Sequence, residues 1–187
     1  MDNSVVSLLA QRYASKAMRE IFLPESKIIA ERKLWIAVMR AQAKSGHQIS
    51  KEIIADYEKV LTNVDLDSID KRERELRHDV KARIEEFNAL AGHEAIHAGM
   101  TSRDLTENVE AMQIRDGLQL AHNRVVAALG LLGERAIEFK ELPIAGRSHN
   151  IPAQITTLGK RFANAAQEIL LAFDRVEAFF SRYPMRG

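Results

Sequence analysis

Six histidines and no cysteine stand among the 187 residues, so proton transfer and ligand binding fall to imidazole, carboxylate, amine, guanidinium and hydroxyl groups. Thiol nucleophiles, Cys-based zinc sites and disulfides are excluded. One polar run, Gly146-Arg147-Ser148-His149-Asn150, ends beside a histidine and leads on to Thr156-Thr157. An imidazole with an unperturbed pKa of about 6.5 exchanges protons near neutrality, which suits a general acid or base at the mouth of a helical bundle. A second run, Gly99-Met100-Thr101-Ser102-Arg103-Asp104, gathers hydroxyls and backbone N–H groups where a long helix begins. Such a terminus attracts anions through its unpaired N–H groups and the helix dipole. Each run also has a plainer reading. A lone loop histidine is more often structural than catalytic, and Ser102 is a ready helix cap.

The remaining histidines invite a metal reading. His93 and His97 stand at i, i+4, which on a helix puts two imidazoles on one face. The segment is not taken for the His-Glu-x-x-His motif, and no third ligand at helical spacing accompanies the pair. Neither a metal nor a cofactor is expected. His47, beside Gly46, and His122, inside a long helical pattern, read as solvent-facing or packed side chains.

The elements that must hold these residues are helices. Glycine (9) and proline (4) are few, and β-branched alternation is nearly absent. After Pro24, residues 26–44 place Ile28, Ile29, Leu34, Trp35 and Val38 on a helical stripe that Gly46 closes. Ser50 caps a short helix through Ile53, Ile54, Tyr57 and Leu61. The segment from Asp65 to Leu90 is helical by pattern, with a break near His78-Asp79 where Asp79 caps a fresh helix carrying Val80, Ile84 and Phe87. From Ser102 a helix far longer than ~25 residues carries Leu105, Val109, Met112, Val125, Leu129, Leu132 and Ile137. Pro143, Gly146 and Pro152 mark a loop. A second long helix runs from Thr156 or Thr157 through Phe162, Ile169, Leu170, Phe173, Val176 and Phe180 to Pro184. Two long helices joined by one tight loop form an antiparallel pair, packed through Leu105, Val109, Val125, Leu129, Phe162, Ile169 and Phe173. The expected class is all-α: an N-terminal helical domain over 1–101, then the first long antiparallel helices of a central bundle over 102–187.

Hydrophobic residues make up 46% and charged residues 28%, the balance of an ordinary globular chain. Lys plus Arg is 27 against Asp plus Glu at 26, a net charge of +1 that points to neither nucleic acid nor an anionic membrane. No apolar run is long enough to span a bilayer, and the N-terminus lacks a secretory signal, so a cytoplasmic location is expected.

Taken together, four stretches resemble the aspartase and fumarase superfamily, and within it the adenylosuccinate lyases. They are Arg12-Tyr13, Glu75-Leu76-Arg77-His78-Asp79-Val80, Thr101-Ser102-Arg103-Asp104, and Gly146-Arg147-Ser148-His149 continuing to Thr156-Thr157-Leu158-Gly159-Lys160. They span nearly the whole chain in the family's order. There are departures: Asn150-Ile151 stands where the family has Gly-Gln or Gly-Ile, and Ile155 replaces a common proline. The superfamily's signature loop, Ser-Ser-x-Met-Pro-x-Lys-x-Asn-Pro, which supplies the serine that removes the β-proton, is absent from these residues. By the resemblance, this is the N-terminal portion of a longer enzyme.

The resemblance implies β-elimination of fumarate from adenylosuccinate, leaving AMP, and from the succinylated aminoimidazole carboxamide ribotide of purine synthesis. His149 would be the general acid that protonates the departing nitrogen. His78, with Arg77 and Asp79, would contact substrate and balance charge. Thr101 and Ser102 would hold succinyl oxygens, and Arg12 and Tyr13 would grip the nucleotide phosphate. In that family the site forms where three subunits of a homotetramer meet, so this portion alone is expected to be inactive. Two other readings stand beside it: another fumarate-releasing lyase, of the argininosuccinate or cycloisomerase type, and a non-catalytic helical oligomerisation module.

Overall fold

The computed structural model describes residues 7–180 and 182; the expected stop at Tyr183-Pro184 lies outside them. Among the described residues, eight helices and one hairpin follow in order: α1 Leu8–Tyr13, α2 Lys16–Ile21, α3 Pro24–Lys44, α4 Lys51–Lys59, α5 Leu66–Leu76, α6 Asp79–Ala91, α7 Ser102–Glu138, β1 Pro143–Ser148, β2 Ile151–Thr157 and α8 Leu158–Phe180. The chain divides into two compact units at Asp116/Gly117, inside α7.

Local chemistry sets most boundaries. Ser7, Ser15, Ser50 and Asp65 each cap a helix by accepting a hydrogen bond from a backbone N–H three residues on. Pro24 opens α3 at a position where a missing N–H costs nothing, and Gly46 follows its end with φ +95°. The expected cap at Asp79 is displaced by one residue. His78 is the N-cap of α6, its ring Nδ1 accepting from the Lys81 N–H at 3.3 Å, while Asp79 begins the helix. The long helix is likewise shifted: it starts at Ser102 itself, which leaves Thr101 at the cap, and the Asp104 carboxylate accepts from the Thr101 N–H at 2.7 Å.

In the first unit, Trp35, Ile36, Met39, Tyr57, Val80, Phe87, Ile96 and Leu105 form one buried cluster, with Ile28, Ile69 and Ala82 in a second. The face of α3 that turns inward is Ile28, Glu31, Arg32, Trp35, Ile36 and Met39. That is a helical stripe, but two of its positions are charged, and Ile29, Leu34 and Val38 are only partly covered. Arg32 lies over the Phe87 ring at 4.4 Å, donates to the carbonyls of Val60, Leu61 and Asn63, and meets Glu86 at 2.5 Å. Glu86 also accepts from the Asp65 N–H. One buried ion pair therefore braces the end of α4, the start of α5 and the face of α6.

In the second unit α7 and α8 run antiparallel: His122 stacks on Phe173 near one end, and Phe139 stacks on Phe162 near the other. Gly159 allows the closest approach, since a Cβ there would lie 2.4 Å from the Ala136 carbonyl oxygen. The packing list expected from sequence is corrected at its start. Leu105 packs with Trp35 and its neighbours in the first unit's core.

The segment expected as a loop is an antiparallel hairpin. Pro143 pairs with Thr157 and Ser148 with Ile151, with an irregularity between Ala145 and Arg147. Both strands of a two-stranded ribbon are edges, which is where proline's missing donor is tolerated; Pro143 is moreover the first residue of its strand. Gly146 sits where a Cβ would meet the Gln154 carbonyl at 2.9 Å. Apart from this hairpin, the regular structure among the described residues is helical.

Candidate active site

The turn between α5 and α6 presents three of the expected residues together. Arg77 ends α5 in the left-handed region, φ +54°, a conformation uncommon outside glycine. This turns the chain so that His78, extended at φ −152°, caps the next helix. Because Nδ1 of His78 accepts a backbone hydrogen bond, the neutral ring carries its proton on Nε2. Asp79 Oδ1 lies 3.7 Å from the same Nδ1, and Oδ2 accepts from Arg83 Nη2 at 2.9 Å. Burial pushes the Asp79 carboxyl up, but the Val80 N–H and the Arg83 guanidinium outweigh it and hold it below the usual carboxylate value. Arg77, His78 and Asp79 are exposed and line an open hollow with Asp70, Glu73 and Arg74.

The start of α7 lies close to that turn. His97 is half-buried, in the left-handed region at φ +66°, and its Nδ1 accepts from the Trp35 indole N–H at 3.0 Å. Burial lowers its pKa, Asp104 acts against that, and His78 adds to it. Asp104 and His78 both act electrostatically on His97, and all three belong to the first unit. Thr101 is exposed and Ser102 half-buried. Sequence reasoning missed His97 as a member of this group. Its only sequence signal was a position four residues before Thr101, and its environment depends on Trp35, 62 residues away.

The metal reading needs a correction of its own. The run His93-Glu94-Ala95-Ile96-His97 does match His-Glu-x-x-His letter for letter, but it lies beyond the end of α6 in non-helical chain, so the spacing does not put both imidazoles on one helix face. His93 Nε2 pairs with Asp56 at 2.9 Å, and His97 points to Trp35. Among the described residues no group of three or more His, Cys, Asp or Glu side chains is placed to hold a metal.

Arg12 and Tyr13 are the last two residues of α1 and are both exposed. His149 belongs to the second unit, at the apex of the hairpin. With Ser148 and Ile151 paired, His149 and Asn150 are a two-residue turn, both left-handed at φ +49° and +64°, as a type I′ turn requires. Arg147 Nη1 donates across the turn to the Asn150 carbonyl at 3.1 Å. The imidazole is exposed at the tip of a short hydrogen-bonded hairpin. Left-handed backbone at three histidine or arginine positions costs of order 1–3 kcal/mol each and concentrates at functional sites.

A family model described as a lyase matches residues 8–184. The adenylosuccinate lyase of Archaeoglobus fulgidus is 29% identical over 178 residues, 95% of this chain and 40% of its own. Those of Schistosoma mansoni and Saccharomyces cerevisiae are 34% and 33% identical, over 90% and 96% of this chain and 36% and 38% of theirs. The chain therefore spans about 36% to 40% of the length of these relatives. Among solved structures, a fumarate lyase from Mesorhizobium sp. BNC1 superimposes with a TM-score of 0.78 at 26% identity, over 89% of this chain and 40% of that one. A beta-carboxy-cis,cis-muconate cycloisomerase from Acinetobacter calcoaceticus shares the fold, with a TM-score of 0.82 at 22% identity over 94% of this chain and 43% of its own. The sequence motifs, the helical fold and the family match converge on one assignment: the chain belongs to the lyase family of the aspartase and fumarase superfamily.

Proposed function

We propose that this chain contributes to the active site of an adenylosuccinate lyase, which eliminates fumarate from adenylosuccinate and from the succinylated aminoimidazole carboxamide ribotide. The observation that carries the reading is the agreement among the curated relatives, which bear that name and align over at least 90% of this chain. In the proposed reaction a base outside these residues removes the proton from the succinyl carbon β to nitrogen. The resulting carbanionic charge is held by fixed donors, the C–N bond breaks, and its electron pair takes a proton from His149. Thr101 and Ser102, at the start of α7, hold succinyl oxygens. His78, with Arg77 and Asp79, contacts substrate, and Arg12 and Tyr13 grip the nucleotide phosphate. The N-terminal domain ends at residue 101, the long-helix bundle begins at 102, and the site is completed between subunits of a homotetramer.

The test is turnover by the complete protein that contains this chain. Fumarate release from adenylosuccinate is expected, and release from argininosuccinate alone would overturn the reading. His149→Gln is expected to lower kcat by roughly 10²–10⁴-fold with AMP affinity retained, because the proton matters only in the transition state. Arg12→Ala is expected to raise KM more than it lowers kcat, since a phosphate grip holds ground and transition states alike. Near-normal turnover by a correctly assembled His149→Gln protein sinks the assignment of the acid.

A further inference from the structure

The buried charge on α3 does more than fill a core position. Glu31 is wholly buried, and burial raises its carboxyl pKa against the pull of Arg83 and Lys27. Its Oε2 forms an ion pair with Arg83 Nε at 2.7 Å, off the line of a hydrogen bond, and neither carboxylate oxygen accepts a hydrogen bond from the described residues. A carboxylate in such a place is costly, and an apolar side chain of similar volume would pack there at less expense. Arg32, the next residue, already braces α4, α5 and α6, so Glu31 is not needed for that task.

Arg83 supplies the explanation. Its guanidinium is nearly buried and faces two carboxylates at once: Glu31 through Nε, and Asp79 through Nη2 at 2.9 Å. The planar fork cannot rotate without releasing one of them. Asp79 is half exposed, yet it is gripped from the core side, and its other oxygen stands 3.7 Å from His78 Nδ1. A loose carboxylate at the first position of α6 would turn to the unpaired N–H groups of the first helical turn, among them the Lys81 N–H that His78 caps. Held by Arg83, it meets the Val80 N–H and leaves the Lys81 N–H to His78.

We propose that Glu31 and Arg83 are positioning residues for the His78–Asp79 turn: the buried carboxylate locks the arginine, the arginine locks Asp79, and His78 is left to cap the Lys81 N–H through Nδ1, which puts its proton on Nε2. Its catalytic consequence rests on the function proposed above, whereas the geometry itself does not.

The experiment reads imidazole ¹⁵N shifts of His78 in the uniformly labelled 187-residue chain, at a pH where the ring is neutral. The wild-type chain is expected to show the pattern of one tautomer, protonated at Nε2. Glu31→Met keeps the volume and removes the charge; the expected result is collapse to tautomer-averaged shifts. The Trp35 indole N–H, bonded to His97, should keep its shift and so report an intact core. Arg83→Lys, which lacks the rigid planar fork that fixes two carboxylates at once, is expected to give the same collapse. An unchanged His78 pattern in either folded variant overturns the proposal. Loss of the fold in both overturns it as well, because the pair would then serve the core and not the turn. Since no substrate is involved, this outcome is independent of whether adenylosuccinate is turned over.

Discussion

At His97, burial and hydrogen bonding agree on one protonation state. The ring accepts the Trp35 indole proton at Nδ1, so adding a second proton would break that bond and place a charge in half-buried surroundings. Its folded pKa lies below the ordinary value of about 6.5. Below that value the unfolded chain binds a proton that the folded chain refuses, so stability is complete above it and is lost as pH falls through it. Glu31, whose pKa is raised by burial, contributes the opposite slope, beginning at its unfolded value of about 4.5 and running upward. Thermal unfolding from pH 7.5 to 5.5 is therefore expected to show a falling Tm, and His97→Asn, which tolerates the left-handed backbone, is expected to flatten it. An equal fall in the variant would contradict this account. The contrast with His149 shows what a sequence reveals at this scale. His149 and Thr101 stand out because they sit in polar punctuation between helices, where side-chain type and local backbone decide the environment. His97 and Glu31 owe their roles to partners brought by folding, and no spacing along the chain reports them; of the two partners of Arg83, Asp79 stands at helical i, i+4 spacing, but Glu31 is brought by folding.

Helix α3 shows the same limit one level up. Its length, its proline start and its glycine-terminated end were legible, because caps and breakers act locally. Its inward face was read too narrowly, since an apolar stripe cannot show that Glu31 and Arg32 occupy core positions. Arg32 is the costly one to remove. Its loss would leave Glu86 buried without its charged partner and remove a donor from the carbonyls of Val60, Leu61 and Asn63, of which Val60's keeps the Asn63 N–H. Arg32→Met is expected to destabilise the first unit by about 3–5 kcal/mol, seen as a lower urea midpoint. The double change Arg32→Met with Glu86→Leu should recover part of that, because no buried charge then stands alone. A single variant within about 0.5 kcal/mol of wild type would refute the bracing role. The hairpin was illegible for a different reason. Pro143, Gly146 and Pro152 are breakers that argue against a central strand, and His149-Asn150 is not the Asn-Gly pair that announces a type I′ turn.

For the molecule as a whole, the second unit is the thinner of the two. It is one helix pair and a hairpin, and Leu131 and Ile137 on α7 are 61% and 72% exposed, with Leu171 on α8 also open. These side chains are candidates for the contact between copies under the proposed homotetramer. Under the proposed homotetramer, the 187-residue chain is expected to self-associate in sedimentation velocity, and Leu131→Glu with Ile137→Glu to shift it toward monomer. A monomeric wild-type chain would remove that support. The left-handed apex of the hairpin also filters which sequences the molecule tolerates. Positions 149 and 150 both exclude β-branched side chains on backbone grounds alone, while asparagine, aspartate and glycine pass at either. Under the proposed chemistry only histidine passes at 149. Asparagine and aspartate each lie a single nucleotide from a histidine codon, so the shortest mutational step away from a catalyst leads to an inert protein with the same turn, fold and assembly. Such a protein would persist as a scaffold, and neither its expression level nor its stability would betray the lost activity.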